Sequence, residues 1–442
     1  MRSSTGTTWS FWDRATGARR YARAVTSEPP ATLAQLGQRA REASRVVART
    51  SSAVRDEALR CAADLIERRA GELLDANGAD MARATGAGVD ATALDRLRLT
   101  PDRIVGMARG LRSVADLPDP VGEVVEGWVR PNGLRVTRVR APLGVIGIIY
   151  ENRPNVTSDA AGLCLKSGNA VLLRGSSAAI ESNRAIVSLL RAGLAKAGLT
   201  EDAVGLVGET SRESAVEFMR LRGVIDCLIP RGGPSLIASI LEHATVPYVI
   251  DGDGNCHVYV DARADLDVAE AIVVNAKTHR PGVCNAAESL LVHRDVASAF
   301  LPRVAGALDG VELVGDEATR SLLSGVAPAT DEDYAAEFLG PKLSVAVVSS
   351  IDEAMDRIAR FGTGHSEAII TEDLAAADRF TSEVDAAAVL VNASTRFVDG
   401  EELGLGAEIG ISTQKLHARG PMGLRELTSI KYVVHGQGQV RQ

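Results

Sequence analysis

The sequence lacks an excess of positive charge and any apolar stretch long enough to cross a membrane. Its 442 residues carry a formal net charge of -8, which argues against a general nucleic-acid or anionic-membrane binder, because such partners favour a basic surface. Apolar runs such as residues 143–150 are far shorter than the ~20 residues that span a bilayer. We therefore predict no nucleic-acid partner and no membrane span.

Closely spaced cysteines are also absent. The five cysteines, Cys61, Cys164, Cys227, Cys256 and Cys284, show neither a CxxC pair nor the Cys/His spacing of a zinc site. This pattern disfavours a disulfide framework and a structural metal. We predict that the protein holds no metal and works in the reducing cytoplasm.

The N-terminal segment has no apolar core of the kind found in secretory signals. Residues 1–31 mix Arg, Ser, Gly and Thr and reach Glu28-Pro29-Pro30 near their end. We interpret this segment as a disordered tail. An organelle transit peptide, which is also rich in arginine and poor in acids, is the alternative.

The chain as a whole has an ordinary globular composition, with 45% hydrophobic and 24% charged residues, and its length suits roughly two to four domains. Apolar residues recur at helical spacing from residue 33 to about 71. Farther on, short apolar strands alternate with helical stretches, which is typical of mostly parallel, doubly wound sheets. The predicted strands are 145–150, 170–174, 204–207, 224–229, 246–250, 289–293, 343–348, 368–371 and 389–392.

These strands divide into two α/β units with a junction near Gly252, and a cofactor on one unit would meet a substrate on the other in the crevice between them. Cys256 follows the junction, and two interpretations of it stay open, a residue that lines this crevice and a buried structural thiol. We predict a cofactor-binding domain (32–122 and 141–251) and a catalytic domain (252–419). Two partly alternating strands around Pro131-Asn132-Gly133 indicate a hairpin, which is marginal alone. Residues 123–140 and 420–442 are therefore predicted to form an oligomerisation arm.

Cys284 is the best candidate for chemistry. The segment 277–285 is polar and contains Pro281 and Gly282, so we predict a loop between a helix and a strand. A cysteine on such a loop near cations has its pKa lowered from ~8.5 toward neutrality. Lys277 and Arg280 are the expected cations. A buried structural thiol is the alternative.

Two further loops offer anion-binding groups. Arg231-Gly232-Gly233 leads from a strand into a helix, and glycines there let backbone amides and the helix N-terminus face a phosphate. Arg174-Gly175-Ser176-Ser177 ends another strand, where the adenosine ribose of a dinucleotide is often bound. Its charge and hydroxyl groups suit a 2'-phosphate. A glycine turn without a ligand and a plain helix cap are the alternatives.

Taken together, these motifs resemble the gamma-glutamyl phosphate reductase family of the aldehyde dehydrogenase superfamily. The match runs from about residue 32 to residue 442. The segments that carry it are 144–157 (GVIGIIYENRPNVT), 229–233 (IPRGG), 275–277 (NAK), 280–281 (RP), 284–285 (CN), 391–397 (VNASTRF), 404–408 (GLGAE) and 412–423 (STQKLHARGPMG).

The resemblance implies an aldehyde dehydrogenase-like α/β fold, with two doubly wound α/β domains and a small β-hairpin oligomerisation arm. It implies NADPH-dependent reduction of L-glutamyl 5-phosphate to L-glutamate 5-semialdehyde with release of phosphate, the second step of proline biosynthesis from glutamate. Cys284 matches the family nucleophile, whose thiolate attacks the acyl phosphate and then carries a thioester. Asn152 and the Cys284 amide resemble the oxyanion hole of the superfamily.

The resemblance and the loops assign the other candidate residues to two groups. The NADPH/NADP+ group comprises Arg174, Ser176, Ser177, Arg231, Gly232, Gly233 and Glu337, of which Glu337 looks like the superfamily glutamate that holds the nicotinamide ribose. The substrate group comprises Arg153, Arg280, Ser394, Thr395, Arg396 and Glu408, and their individual contacts stay open. The expected partners are a second copy of the chain, in a dimer or tetramer, and functional coupling to glutamate 5-kinase.

Superfamily members that form carboxylic acids carry a water-activating glutamate before the catalytic loop. Here that region reads Ile250-Asp251-Gly252-Asp253-Gly254, which fits reduction of an acyl phosphate, although Asp251 and Asp253 stay open as bases. Three alternatives stay open as well. They are another aldehyde or acyl-CoA dehydrogenase, a cysteine acyltransferase or hydrolase with His279 as partner of the thiol, and a silent nucleotide-binding or scaffold protein.

Overall fold

The computed structural model describes residues 9–12, 19–22 and 31–441. Within the predicted tail, β1 (Trp9–Trp12) and β2 (Arg19–Ala22) pair as antiparallel strands, and the rest of that prediction lies outside the described residues. Among the helices in these ranges, none combines the length and the apolarity that a membrane span requires.

A group of helices opens the continuous part of the chain, as the helical spacing predicts. They are α1 (Leu33–Val47), α2 (Ser52–Arg68), α3 (Ala70–Gly86), α4 (Ala91–Leu97) and α5 (Pro101–Asp116), and strands β3 (Val124–Val129) and β4 (Arg135–Pro142) follow. A capping box starts α1, because the Thr32 hydroxyl accepts from the Gln35 amide and the Gln35 side chain accepts from the Thr32 amide. Its buried residues Ala40, Ala43 and Val47 lie on one face.

The first sheet is parallel and has helices between its strands. Its elements are β5 (Val145–Tyr150), α6 (Asn155–Lys166), β6 (Ala170–Arg174), α7 (Ile180–Lys196), β7 (Val204–Leu206), α8 (Arg212–Met219), β8 (Cys227–Arg231) and α9 (Pro234–His243). The strand order is β7-β6-β5-β8, so the order reverses between β5 and β8. Ligands bind at the carboxyl ends of strands beside such a switch point, and the loops after β5 and β8 lie there. The predicted strand at 246–250 is wrong, because this stretch makes only a bridge between Tyr248 and Leu228.

The second sheet is larger and also parallel. Its elements are β9 (Cys256–Val260), α10 (Leu266–Thr278), β10 (Ala287–His293), α11 (Arg294–Ala307), β11 (Glu312–Gly315), α12 (Glu317–Leu322), β12 (Ala327–Pro328), α13 (Asp331–Ala335), β13 (Lys342–Val348), α14 (Ile351–Phe361), β14 (Ser366–Ile370), α15 (Leu374–Glu383) and β15 (Ala388–Val391). The strand order is β12-β11-β13-β10-β9-β14-β15. The sequence did not predict the central strand β9.

Helices cover the second sheet on both faces, as expected for a doubly wound fold. In β9, Val258 and Val260 pack into a cluster with α10 and α11. Tyr259, whose side chain points to the opposite face, packs with Phe380 of α15. The period-2 alternation of a strand therefore separates the two cores.

The predicted hairpin pairs with the C-terminal strand. The last strands are β16 (Ile411–Ser412), β17 (Gly420–Pro421) and β18 (Thr428–His435). β18 runs antiparallel to β4, which in turn pairs with β3, and we call this three-stranded sheet the arm. Before it reaches the arm, the chain returns to the first domain, where Ile409, Ala418 and Met422 join the core. This return begins at Ile409, whereas the sequence predicts that the catalytic domain ends at residue 419.

Candidate active site

Cys284 occupies a tight turn just before β10, at the amino edge of the second sheet. The amide of Ala286 donates to the carbonyl of Val283 at 3.0 Å and closes the turn. The Asn285 side-chain amide donates to the carbonyl of Val398 at 2.8 Å, which ties the turn to the loop after β15. Cys284 itself is only partly buried, so a substrate can reach its thiol.

The surroundings of the Cys284 thiol disfavour its charged form. Burial raises the pKa of this thiol to about 12, and the carboxylates of Asp251, Glu337 and Glu408 act in the same direction. Arg231 opposes them, because a nearby positive charge stabilises a thiolate. At neutral pH the side chain of Cys284 is therefore a protonated thiol.

The cations that the sequence places beside the thiol do not change this result. Lys277 is fully buried in α10 and forms an ion pair with Glu288. Burial lowers the pKa of Lys277 and raises the pKa of Glu288 to about 7. The prediction that Lys277 and Arg280 lower the pKa of Cys284 is wrong, because Lys277 is committed to its own partner and burial outweighs the nearby cations.

Arginines from separate loops converge on the turn. Arg153 follows β5, Arg231 ends β8, Arg280 precedes the turn and Arg396 follows β15. Desolvation lowers the pKa of Arg153, and repulsion from Arg231, Arg96 and Arg280 lowers it further. Desolvation and Arg280 likewise lower the pKa of Arg396. Guanidinium groups gathered in this way suit an anion such as a phosphate or a carboxylate. The sequence did not predict that Arg96 lies near this group.

Asp251 is held by two partners. One of its oxygens accepts from the Ile411 amide at 2.8 Å, and the other pairs with Arg231. Burial raises the pKa of Asp251 even though both partners oppose it. A carboxylate with both oxygens engaged is poorly placed to take a proton from water, and Asp253 is exposed to solvent.

Asn152 and Ser176 connect the loops after β5 and β6. The Ser176 hydroxyl donates to the side-chain oxygen of Asn152 at 2.9 Å. Asn152 has a φ of 35°, and asparagine tolerates this left-handed region better than most residues. Since Ser176 engages the oxygen of the side-chain amide, the NH2 group of Asn152 is the part left to donate to a substrate.

The N-terminus of α9 has the geometry of an anion site. The Gly233 amide donates to the Glu151 carboxylate at 3.1 Å, and a helix N-terminus favours such a negative charge. A Cβ built on Gly232 would meet the side-chain ends of Leu236 and Glu151, so glycine leaves room for this close approach. Arg231, predicted in the same group, instead turns toward Asp251.

Arg174 orders the loop after β7. Its guanidinium donates to the carbonyls of Thr210 and Ser211 at 2.8 and 2.7 Å, and burial lowers its pKa. Its Nε has no partner within the described residues. Ser177 is exposed, and its carbonyl accepts from Arg83 at 3.1 Å.

Glu337 reaches the Cys284 turn from the segment before β13. Its Oε1 accepts from the Gly254 amide at 2.9 Å, and burial raises its pKa. A Cβ built on Gly254 would overlap the carbonyl oxygen of Cys284, so these three residues form one continuous contact. Glu337 therefore lies in the crevice beside the thiol.

The comparisons with known proteins agree with this geometry. The aldehyde dehydrogenase family matches residues 17–326 and 321–433. The gamma-glutamyl phosphate reductase of Heliobacterium modesticaldum is 55% identical over 411 residues, 92% of this chain and 99% of that protein. The same enzyme of Thermobifida fusca is 56% identical over 409 residues, 92% of this chain and 98% of that protein.

The chain belongs to the gamma-glutamyl phosphate reductases of the aldehyde dehydrogenase family. The crystal structure of the gamma-glutamyl phosphate reductase of Thermotoga maritima superposes with a TM-score of 0.91 at 48% identity, over 92% of this chain and 99% of that one. The predicted fold class is confirmed. Membership also makes the protein an oxidoreductase of a family that works with nicotinamide cofactors.

The loop after β15 of this gamma-glutamyl phosphate reductase family member carries the remaining residues that the sequence predicts to bind the substrate. The Ser394 hydroxyl accepts from the Arg396 amide at 3.3 Å and caps a short helical turn. Thr395 is fully buried, and its hydroxyl has no partner within the described residues. Glu408 accepts from the Gly400 amide at 3.0 Å.

Glu408 also lines a cavity of about 480 Å³ between α5, α6 and the segment 399–408. Burial raises the pKa of Glu408 to about 7 and the pKa of Asp159 to about 6. Asp399 lines the same cavity, and Arg109 stands at its wall. The sequence did not point to Asp159, because an aspartate inside a helix is unremarkable until the fold brings Glu408 opposite to it.

Two histidines near the turn have other partners. His279 accepts from Arg396 at 3.4 Å and is exposed. His365 is buried, lies 3.6 Å from the Cys256 sulfur, and has its pKa lowered to about 4 by burial. Neither makes a hydrogen bond with the Cys284 thiol in the described part of the chain, which argues against a Cys-His hydrolase.

Proposed function

We propose that the protein reduces L-glutamyl 5-phosphate to L-glutamate 5-semialdehyde with NADPH and releases phosphate, as the second step of proline biosynthesis from glutamate. The observation that carries this proposal is the near full-length similarity to gamma-glutamyl phosphate reductases. Another aldehyde or acyl-CoA dehydrogenase is the weaker candidate. The segment 391–397 is one of the motifs that carry the resemblance to gamma-glutamyl phosphate reductases, and the carbonyl of the adjoining Val398 accepts from Asn285 in the turn of Cys284.

The first domain offers groups that fit NADPH, which supplies a hydride when bound. We assign the pyrophosphate to the N-terminus of α9, where Gly233 now donates to Glu151. We assign the 2'-phosphate to Arg174 and Ser177, next to the unpartnered Nε of Arg174. Glu337, in the crevice beside the thiol, is the candidate for the nicotinamide ribose.

Cys284 supplies the nucleophile. The thiol gives its proton to solvent, the thiolate attacks the carbonyl carbon, and the C–S bond forms as the C–O bond between the acyl carbon and the phosphate breaks. The departing phosphate keeps the bonding electrons. The thioester then accepts the hydride, and the resulting thiohemiacetal releases the aldehyde and restores the thiolate. One difficult displacement is in this way divided into two easier steps.

Each of these steps places negative charge on the former carbonyl oxygen. We assign its donors to the side-chain NH2 of Asn152, which Ser176 orients, and to the Cys284 amide. One such donor contributes roughly 3 to 4 kcal/mol to the transition state. Asn152 is therefore expected to act mainly on kcat.

The leaving phosphate requires cations that do not also bind the amino-acid end of the substrate. Arg153 and Arg280 are our candidates, because repulsion from Arg280 is one of the causes, after desolvation and repulsion from Arg231 and Arg96, that lower the pKa of Arg153. A bound phosphate would relieve that repulsion. Arg231 remains beside the thiol, where it favours the thiolate.

The amino-acid end of the substrate carries an ammonium and a carboxylate group. We assign the ammonium to Glu408 and Asp159, because both are carboxylates in a cavity and have raised pKa values that a cation would lower. Ser394, Thr395 and Arg396 are the candidates for the carboxylate. This assignment accounts for a cavity with several carboxylates in an enzyme whose substrate is an anion.

The arm is our candidate for the subunit interface of a homo-oligomer, a dimer or a tetramer. Trp128, Tyr432 and Val434 are exposed on it, and the ring of Trp128 packs edge-on against Tyr432. Apolar side chains grouped on one surface are typical of an interface. Functional coupling to glutamate 5-kinase stays a prediction, motivated by the unstable acyl phosphate.

A coupled assay tests the proposal. The protein is mixed with NADPH, glutamate, ATP and a glutamate 5-kinase, and the absorbance of NADPH is followed. We expect NADPH oxidation that requires the kinase and ATP. Oxidation that requires acetyl-CoA instead, with no response to the kinase, would refute the assignment.

A further inference from the structure

The thiol of Cys256 lies beneath the turn that carries Cys284. Cys256 is the first residue of β9 and is completely buried. Its sulfur lies 3.2 Å from the carbonyl oxygen of Cys284. Burial raises the pKa of Cys256 well above its ordinary value, so the group stays a thiol and its S–H is a donor. The carbonyl oxygen accepts this hydrogen bond.

The carbonyl in question belongs to the central peptide of a β-turn. The bond from Ala286 to Val283 closes this turn, with Cys284 and Asn285 at its centre. Rotation of the central peptide interconverts type I and type II turns, and type II requires a positive φ at the third residue. Asn285 has no positive φ in this structure, yet asparagine tolerates one. Without a further contact, both orientations of the peptide are therefore accessible.

Gly254 also packs closely against the Cys284 carbonyl. A Cβ at this position would overlap the carbonyl oxygen of Cys284, so only glycine permits the contact. Asn255, which follows, donates to the carbonyls of Tyr334 and Phe361 at 2.7 and 2.9 Å. The segment that supports the turn is therefore fixed by the body of the second domain.

His365 is the competing acceptor for the Cys256 thiol. Its Nδ1 lies 3.6 Å from the sulfur, against 3.2 Å for the carbonyl oxygen. The same nitrogen also lies 2.8 Å from the Ser366 hydroxyl, which can donate to it. The Cys256 proton is thus left for the carbonyl of Cys284.

We propose that Cys256 is a positioning residue, whose S–H bond holds the turn of Cys284 in the orientation that presents the nucleophile to substrate and to Arg231. The inference rests on the proposed function, in which Cys284 is the nucleophile. It assigns the buried thiol a role in the reaction, although Cys256 touches no reacting atom.

The test compares Cys256→Ala, which removes the donor, with Cys256→Ser, which keeps one. Cys164→Ala is the matched control, because Cys164 is an equally buried thiol in α6 of the first domain. Two measurements are made on each full-length protein. One is the rate at which iodoacetamide alkylates Cys284 at pH 8 without substrate, located by peptide mass spectrometry. The other is kcat and the KM for NADPH in the coupled assay.

We expect Cys256→Ala to lower kcat by about tenfold, the effect of one hydrogen bond, with an unchanged KM for NADPH. Displacement of the turn moves the thiol relative to Arg231 and to the carboxylates that raise its pKa, so the alkylation rate should change several-fold. Cys256→Ser should stay within about twofold of the wild type. Cys164→Ala should lower the melting temperature and leave both rates unchanged.

The inference is overturned if Cys256→Ala alkylates at the wild-type rate, or if the serine and alanine variants lose kcat equally. Since alkylation requires no substrate, a failure of the proposed function is seen separately, as a wild-type protein that alkylates at Cys284 but oxidises no NADPH.

Discussion

At the scale of single residues, Cys284 combines access to solvent with a pKa raised to about 12. The protonated thiol is protected from oxidation, since the thiolate is the reactive form. Its reactivity then depends on the balance between Arg231 and the surrounding carboxylates. That balance can be shifted by substitution.

Replacing the nucleophile tests the role of Cys284. We expect Cys284→Ser to lower the coupled NADPH oxidation to below about one per cent, because a serine alkoxide is far less available than a thiolate at neutral pH. Binding of NADPH, measured by fluorescence titration, should be nearly unchanged. Cys61→Ser, on α2, is the control. Activity of more than a few per cent would contradict the assignment of Cys284 as the nucleophile.

Substitution of Asp251 provides a test in which the thiol of Cys284 should become more reactive. Asp251 raises the pKa of Cys284, and it also engages Arg231, which lowers that pKa. Asp251→Asn removes a negative charge and frees the guanidinium, so the thiol pKa should fall. We expect iodoacetamide to alkylate Cys284 several-fold faster at pH 8, about what one removed charge provides. A slower reaction would indicate that Asp251 is a base.

Asp159 tests the binding of the substrate ammonium. Asp159→Asn should raise the KM for glutamyl phosphate by about tenfold, since a hydrogen bond to a charged group is lost, with kcat little changed. The deaminated analogue glutaryl phosphate should show no such increase. Glu401→Gln, an exposed carboxylate on the same cavity, is the control. An equal loss with both substrates would contradict the assignment.

At the scale of elements, the arm is where sequence pattern and structure agree most closely. Alternation predicts both strands of the hairpin, and pairing of the C-terminal strand with it is confirmed from Thr428 opposite Pro142 to His435 opposite Arg135. The strand β9 was missed, because its first residues, Cys256 and His257, follow a glycine-rich junction that looks like loop. Their burial depends on neighbours that are distant in the chain.

A charge placed on the arm should weaken the proposed oligomer. Tyr432 and Val434 lie on one face of the sheet, beside Trp128 across β4. We expect Val434→Glu to shift the species measured by light scattering toward the monomer, because an unpaired charge in an apolar interface is costly. Lys431→Glu, on the opposite face, is the control. An unchanged mass would place the interface elsewhere.

At the scale of the whole molecule, the sequence predicted the fold class but not which side chains pair with one another. Apolar strands such as β5 and β6 are identifiable locally because every residue is buried or nearly so. The ion-pair partner of Lys277 cannot be identified locally, because Glu288 contacts Lys277 only when α10 packs on β10. The same holds for Asp159, whose cavity forms between elements that lie more than two hundred residues apart.

The two domains together imply an enzyme that passes its acyl group to phosphate and not to water. In the reverse direction, oxidation of glutamate semialdehyde leaves a thioester on Cys284 that a nucleophile must remove. Arg153 and Arg280 are the groups that we propose for binding phosphate, whereas water requires a general base and both oxygens of Asp251 are engaged.

The most direct measurement is therefore NADP+ reduction by glutamate semialdehyde, with and without phosphate. We expect steady turnover only when phosphate, or arsenate in its place, is present. Steady NADP+ reduction in phosphate-free buffer, with free glutamate as the product, would contradict the assignment of an acyl-phosphate reductase.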